Sequence, residues 1–143
     1  VKTITDAYEV PLLINDRIDI ALAVGADGVH LGQSDLPLDA ARNILGADKI
    51  VGATANTVEL AQKAWHEGAD YLGVGDVFGT TTKADTRHIT LEELKEIKES
   101  VPIPVVAIGG VNEDNIALLR ETGVDGAAVI SAIVGQKYIT AAA

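Results

Sequence analysis

The sequence predicts a parallel α/β fold, and three observations carry that expectation. Six short apolar runs alternate with helix-like stretches, and each run is continuously apolar rather than alternating, as strands covered on both faces are. A Gly-x-Asp signature introduces four of the runs, at Gly25, Gly46, Gly68 and Gly123, with the first two gaps 21 and 22 residues long. Residues suited to ligands, namely Asn15, Asp16, Gln33, Ser34, Asp35, Thr54, Asp76, Gly109, Gly110 and Ser131, all follow the carboxyl end of a run.

The first strand is expected over Val10–Ile14, with a helix starting at Arg17. The second covers Gly28–Leu31, and Pro37 suits the first turn of a helix over Leu38–Leu45 because its φ is already set. Lys49–Ala53 is the third strand. The helix after it, Thr57–Glu67, places Val58, Ala61, Ala64 and Trp65 on one side, and Asn56 with Glu59 resembles a capping box. Asp70–Val74, Pro104–Ile108 and Gly126–Ile130 complete the strands. Thr90 and Glu93 make the Thr-x-x-Glu box that opens Leu91–Ser100, and Asn112 suits the cap of Glu113–Thr122. In each repeat the glycine is expected to cap the preceding helix in the left-handed conformation, and the Asp turn then feeds a buried strand.

At 143 residues and 48% hydrophobic content the chain can bury one core, and a single domain over residues 1–143 is expected. A net charge of −10 works against a grip on nucleic acid or an anionic membrane, so a small anionic substrate would need a local cation or a metal. There are no cysteines, which excludes disulfides, thiolate zinc sites and thiol nucleophiles and points to a reducing cytoplasm. No apolar run reaches the roughly 18 residues of a membrane span. With no methionine, the opening Val1-Lys2-Thr3 reads as a cut inside a longer gene product, and the close at Thr140–Ala143 reads as equally artificial.

Every strand unit contributes ligand-type residues, whereas a doubly wound sheet would concentrate them at one switch point. A TIM-type barrel with its site on the carboxyl face is therefore expected. The stretch Gly68–Lys83, GADYLGVGDVFGTTTK, runs an apolar strand into a loop fit to hold a phosphate. Glycine admits close backbone approach, threonine hydroxyls add donors, and lysine supplies the countercharge.

These segments, together with PLLINDRIDIAL at Pro11–Leu22, GADGVHLGQSDLP at Gly25–Pro37, PVVAIGGVNEDN at Pro104–Asn115 and DGAAVISAI at Asp125–Ile133, resemble the thiamine phosphate synthase family along essentially the whole chain. The resemblance implies a (β/α)8 barrel of which this chain holds strands three to eight, roughly the first two βα units being absent. It implies a transferase of thiamine biosynthesis that joins hydroxymethylpyrimidine pyrophosphate to thiazole phosphate, forming thiamine phosphate and releasing pyrophosphate. By the same resemblance Asp16 and Asp35 ligate Mg²⁺, Asn15, Thr54 and Lys83 contact the pyrimidine pyrophosphate, and Lys83 acts catalytically as a point charge on the departing phosphate. Thr80, Thr81, Thr82, Gly110, Ile130 and Ser131 match the thiazole phosphate pocket. The implied partners are small phosphorylated molecules, with neither nucleic acid nor membrane, and open sheet edges would favour association into a homo-oligomer.

Plainer roles compete. Asp16 also suits a cap for the helix at Arg17, Asp35 a cap for the helix behind Pro37, and Gly109-Gly110 an empty tight turn. His30, inside a strand, reads as a hydrogen-bonded core residue rather than a catalyst. Thr54 stands where the family usually has serine, Asn56 where histidine is common, and Asp76 and Gly79 where prolines are frequent. The family's strand-two Gln-x-Arg-x-Lys cluster is nowhere in the chain. Thiazole tautomerase relatives, which typically lack the metal aspartates, and a non-catalytic phosphate-binding barrel fragment are the alternatives.

Overall fold

Six parallel strands lie side by side in chain order: β1 Leu13–Asn15, β2 Gly28–Leu31, β3 Ile50–Thr54, β4 Tyr71–Val74, β5 Val105–Ile108 and β6 Gly126–Ala128. A doubly wound sheet would break this order at a switch point, so the unbroken sequence makes an open parallel half-barrel of the TIM type. The computed structural model describes residues 1–79 and 87–143. Helices α1 Lys2–Ala7, α2 Ile18–Val24, α3 Leu38–Leu45, α4 Val58–His66, α5 Leu91–Glu99, α6 Ser131–Val134 and α7 Ile139–Ala142 accompany the sheet, with a 3₁₀ helix at Ile116–Thr122. Among the described residues no helix is long and apolar enough to cross a membrane.

The two faces of the sheet differ. On the helix-covered face Val29, Leu31, Val51, Ala53, Leu72, Val74, Val105 and Ala107 are at most 3% exposed and form the core with Ala41, Ala61, Leu94 and Ile97. The register places His30, Gly52, Thr54, Tyr71, Gly73 and Val106 on the opposite, inner face. There the side chains of His30, Thr54, Tyr71 and Val106 are only half-buried.

The repeated Asp fastens neighbouring strands at their amino ends. Asp27 Oδ2 accepts from Leu12 N–H at 2.7 Å, Asp70 Oδ2 from Val51 N–H at 2.7 Å and Asp125 Oδ2 from Val105 N–H at 2.8 Å. Each also meets a cation, Lys2, Arg42 and Lys98 respectively. The lysine hydrogen bond first, and then the Val105 N–H, hold the Asp125 carboxyl below its ordinary pKa. Asp48, the fourth of the set, is exposed, as Asp70 is. Gly25 and Gly123 close their helices in the expected left-handed conformation, φ 64° and 74°, whereas Gly46 combines φ 80° with an extended ψ of −178°.

Several expectations are corrected. The first strand starts at Leu13 rather than Val10, because Val10 N–H is turned back onto Thr5 O at 2.9 Å and Pro11 has no N–H to give. The last strand stops at Ala128, since Ile130 leaves extended geometry at φ −118°, ψ −80° to precede α6. Thr57, not Asn56, caps α4, its side chain accepting from Leu60 N–H. The Thr90–Glu93 capping box forms as expected. The segment after Asn112 becomes a 3₁₀ helix starting at Ile116, because Asn112 and Asn115 bond to each other and to Gly110 in a preceding turn. Helices α1, α6 and α7 bury no residue, so they carry no apolar periodicity to read.

Candidate functional site

The carboxyl ends of the strands assemble the residues singled out in the sequence. β1 runs out at Asn15, opposite His30 in the register, and Asp16 follows at φ 63°, donating its N–H to His30 O at 2.9 Å. Left-handed backbone is uncommon outside glycine, though Asp and Asn tolerate it best. Arg17, not Asp16, is the residue preceding α2, and no side chain caps that helix. Asp35 is likewise no helix cap: Pro37 precedes α3, and Asp35 Oδ2 accepts from Gly32 N–H at 2.7 Å within its own turn. Both carboxylates thus stand on loops leaving adjacent strands at the same end of the sheet. The capping roles that competed with metal binding are excluded.

The next units interlock. Thr54 closes β3, its carbonyl accepting from Gln33 Nε2 at 2.5 Å and its Oγ1 lying 3.0 Å from His30 Nε2. His30 Nδ1 is 2.9 Å from the Tyr71 hydroxyl, so His30 is hydrogen-bonded as expected, but it stands half-buried on the inner face rather than in the core. Asn56 Oδ1 accepts from Gly75 N–H at 3.2 Å, tying the end of β3 to that of β4. Beyond β4 the chain pairs with the glycine turn after β5, through Val77 N–H to Ile108 O at 3.1 Å and Phe78 N–H to Gly109 O at 3.0 Å. A Cβ on Gly110 would lie 2.2 Å from Gly79 O, so only glycine lets the two loops touch. Asp76 backbone bonds with Arg87 and Ile89 fasten the segment that leads into α5. Thr80, Thr81, Thr82 and Lys83 lie outside the described residues. Ile130 and Ser131 are exposed beside β6, at the start of α6.

Concave volume elsewhere offers less. A groove of about 420 Å³ at the amino end is lined by Asp6, Glu9, Asp27 and Asp48 with Lys49, a field that repels phosphates. Another of about 670 Å³ separates the 3₁₀ helix from α6 and α7.

Among the described residues no group of three or more His, Cys, Asp or Glu side chains is placed to hold a metal. Two carboxylates nevertheless suit Mg²⁺, which dehydrates reluctantly and takes one or two protein carboxylates, filling its octahedron with waters and substrate phosphates. Two contributors escaped the sequence reading: the Tyr71 hydroxyl and the Asn56 tie. The signal for Tyr71 was Gly52 inside the neighbouring strand, since glycine there marks space taken by another group.

Comparison with known proteins sets this geometry in context. Residues 1–133 match the family model described as thiamine monophosphate synthase. The thiamine-phosphate synthase of Clostridium tetani is 57% identical over 139 residues, 97% of this chain and 66% of the relative. That of Ruminiclostridium cellulolyticum is 58% identical over 143 residues, 100% of this chain and 68% of the relative. The solved thiamine phosphate pyrophosphorylase of Pyrococcus furiosus superposes with a TM-score of 0.92 at 48% identity, covering 99% of this chain and 67% of that one. The chain therefore spans about two thirds of the length of these relatives. A 3-hexulose-6-phosphate synthase at 20% identity and TM-score 0.72 shares the fold alone.

Proposed function

This chain belongs to the thiamine monophosphate synthase family, and from that premise we propose that it forms part of a transferase joining hydroxymethylpyrimidine pyrophosphate to thiazole phosphate. The observation that carries the proposal is the gathering of Asn15, Asp16, Asp35, Thr54 and Gly110 at the carboxyl ends of β1, β2, β3 and β5 in one parallel sheet. In this reading β1–β6 correspond to strands three to eight of the complete barrel.

In the reaction the bond from the pyrimidinylmethyl carbon to the pyrophosphate oxygen breaks, the electron-rich pyrimidine supports the carbocation-like centre left behind, and the thiazole nitrogen forms its bond to that carbon. The electron pair of the broken bond leaves on pyrophosphate, and no protein nucleophile is required. The chain's work is positioning and charge screening. Asn15 and Thr54 hold the pyrimidine pyrophosphate, and Lys83 places a point charge on the departing phosphate. Gly110, in the glycine turn packed against the loop after β4, joins Thr80, Thr81, Thr82, Ile130 and Ser131 around the thiazole phosphate. Asp16 and Asp35 would hold Mg²⁺, which when bound neutralises charge on the pyrophosphate.

The site divides by strand. The thiazole phosphate residues are all in this chain, whereas the family's strand-two cations for the pyrimidine pyrophosphate are not. The 143-residue chain alone is expected to bind thiazole phosphate weakly and to synthesise negligible thiamine phosphate. Calorimetry with thiazole phosphate and a coupling assay with and without Mg²⁺, each run on this chain and on the intact gene product, test the reading. Magnesium-independent coupling removes the metal role, robust turnover by the isolated chain refutes the division, and no coupling by the intact product refutes the synthase assignment.

A further inference from the structure

The inner face contains a hydrogen-bond relay that ends on Thr54. His30 Nδ1 lies 2.9 Å from the Tyr71 hydroxyl and Nε2 lies 3.0 Å from Thr54 Oγ1, so one imidazole links β2, β3 and β4. Two glycines make the room. A Cβ at Gly52 would stand 2.2 Å from the Tyr71 ring, and one at Gly73 would stand 2.9 Å from His30 Cε1. Glycine weakens a strand interior, so two of them beneath two rings mark a place where the sheet gives up packing to hold those rings.

The direction of the relay follows from donor and acceptor strength. A phenol oxygen shares its lone pair with the ring and donates better than it accepts, while a neutral imidazole offers one basic nitrogen as acceptor. Tyr71 O–H therefore donates to Nδ1, the imidazole proton resides on Nε2, and Nε2–H donates to Thr54 Oγ1. Thr54 then accepts on its oxygen and keeps its own O–H for a ligand. Burial pushes the Tyr71 phenol above its ordinary pKa, so it remains a donor through neutral pH.

We propose that Tyr71 is a positioning residue whose hydroxyl sets the His30 tautomer and thereby commits the Thr54 O–H to the pyrophosphate-bearing substrate. The proposal rests on the reading above that Thr54 contacts that substrate.

Tyr71→Phe keeps the ring over Gly52 and deletes only the donor. In the intact gene product the expected result is a rise of about five- to tenfold in KM for the pyrimidine pyrophosphate, the scale of one lost hydrogen bond, with KM for thiazole phosphate unchanged. A general structural weakening would move both constants. In a Thr54→Val background the same change should have no further effect, whereas a Thr54→Ser background, which keeps the hydroxyl, should remain sensitive. Nitrogen-15 NMR of the substrate-free protein reads the relay directly, with Nε2 protonated in the wild type and the tautomer balance shifted in Tyr71→Phe. An unchanged pyrimidine KM, or an equal rise in the Thr54→Val background, overturns the proposal and leaves the synthase reading standing. A protonated Nδ1 in the wild type overturns it as well. Absence of coupling by the wild type overturns the synthase reading and the positioning role with it, a failure recognisable because the tautomer shifts are then unaltered.

Discussion

Aspartates stand at both ends of this sheet and meet opposite fates. At the amino end Asp27, Asp70 and Asp125 each accept a strand N–H and pair with Lys2, Arg42 or Lys98, so their charge is consumed in holding strands together. At the carboxyl end Asp16 and Asp35 sit on loops, cap no helix and pair with no cation among the described residues. A carboxylate with a cation beside it is a structural part. Two without one among the described residues, on neighbouring loops of a chain carrying −10, are what the Mg²⁺ role proposed above would require.

The largest expected effect tests the carboxyl end. Asp16→Asn preserves the shape and tolerates the left-handed backbone at φ 63°, so folding should be unchanged within about 0.5 kcal/mol. Turnover of the intact gene product should fall by about a hundredfold or more, the scale of losing one electrostatic clamp on a leaving group. Steady-state coupling assays and urea unfolding of the same preparation check both halves. A variant that is destabilised yet fully active per folded molecule would move Asp16 into the structural class and erase the contrast.

How far the sequence reveals each end depends on the range of the interaction. The apolar runs around Val29, Val51, Leu72 and Val105 identify the central strands because burial on the helix-covered face demands a local pattern. The Thr90–Glu93 box is legible for the same reason, both partners lying within one helical turn. Asn56 is misread as a cap because its partner, Gly75 N–H, is 19 residues away and only the sheet brings the two together. The His30–Tyr71 bond spans 41 residues, and its trace in the sequence is glycine where a strand would prefer a larger side chain. The Gly-x-Asp repeat shows a middle case: its period is plain, but that Asp reaches back to the strand before it emerges only from the register.

An intermediate effect is expected at the amino end. Asp70→Ala would leave the Val51 N–H, on a residue 0% exposed, without its acceptor at 2.7 Å and would release Arg42. A hydrogen bond to a charged group at a buried donor sets the loss at about 1–3 kcal/mol, read as a lower urea midpoint with an unchanged slope. Substrate affinity of the folded fraction should stay as it was, since the change lies at the opposite end of β4 from Gly75. Loss of thiazole phosphate binding at full stability would show that the amino end is not purely structural.

The smallest effect separates charge from hydrogen bonding within one fastening. Asn at position 125 can still accept from Val105 N–H through its amide oxygen, so Asp125→Asn removes chiefly the pairing with Lys98, whose Nζ lies 2.7 Å from Oδ2. The Asp125 side chain is 45% exposed, which screens the pair and holds the expected loss at neutral pH to about 0.5–1 kcal/mol. Lys98 and the Val105 N–H depress the folded pKa of Asp125, so the unfolded chain takes up the proton first. The contribution is therefore complete above the ordinary Asp value of about 3.9 and declines as pH falls through the lower folded value. Wild type and Asp125→Asn should differ in urea midpoint at pH 7 and converge in strong acid, where the wild-type carboxyl is neutral as the amide always is. A gap that persists undiminished below the folded pKa would show that the pair with Lys98 does not carry the stabilisation. The amino-end aspartates would then act as hydrogen-bond acceptors alone, and their difference from Asp16 and Asp35 would no longer be one of charge.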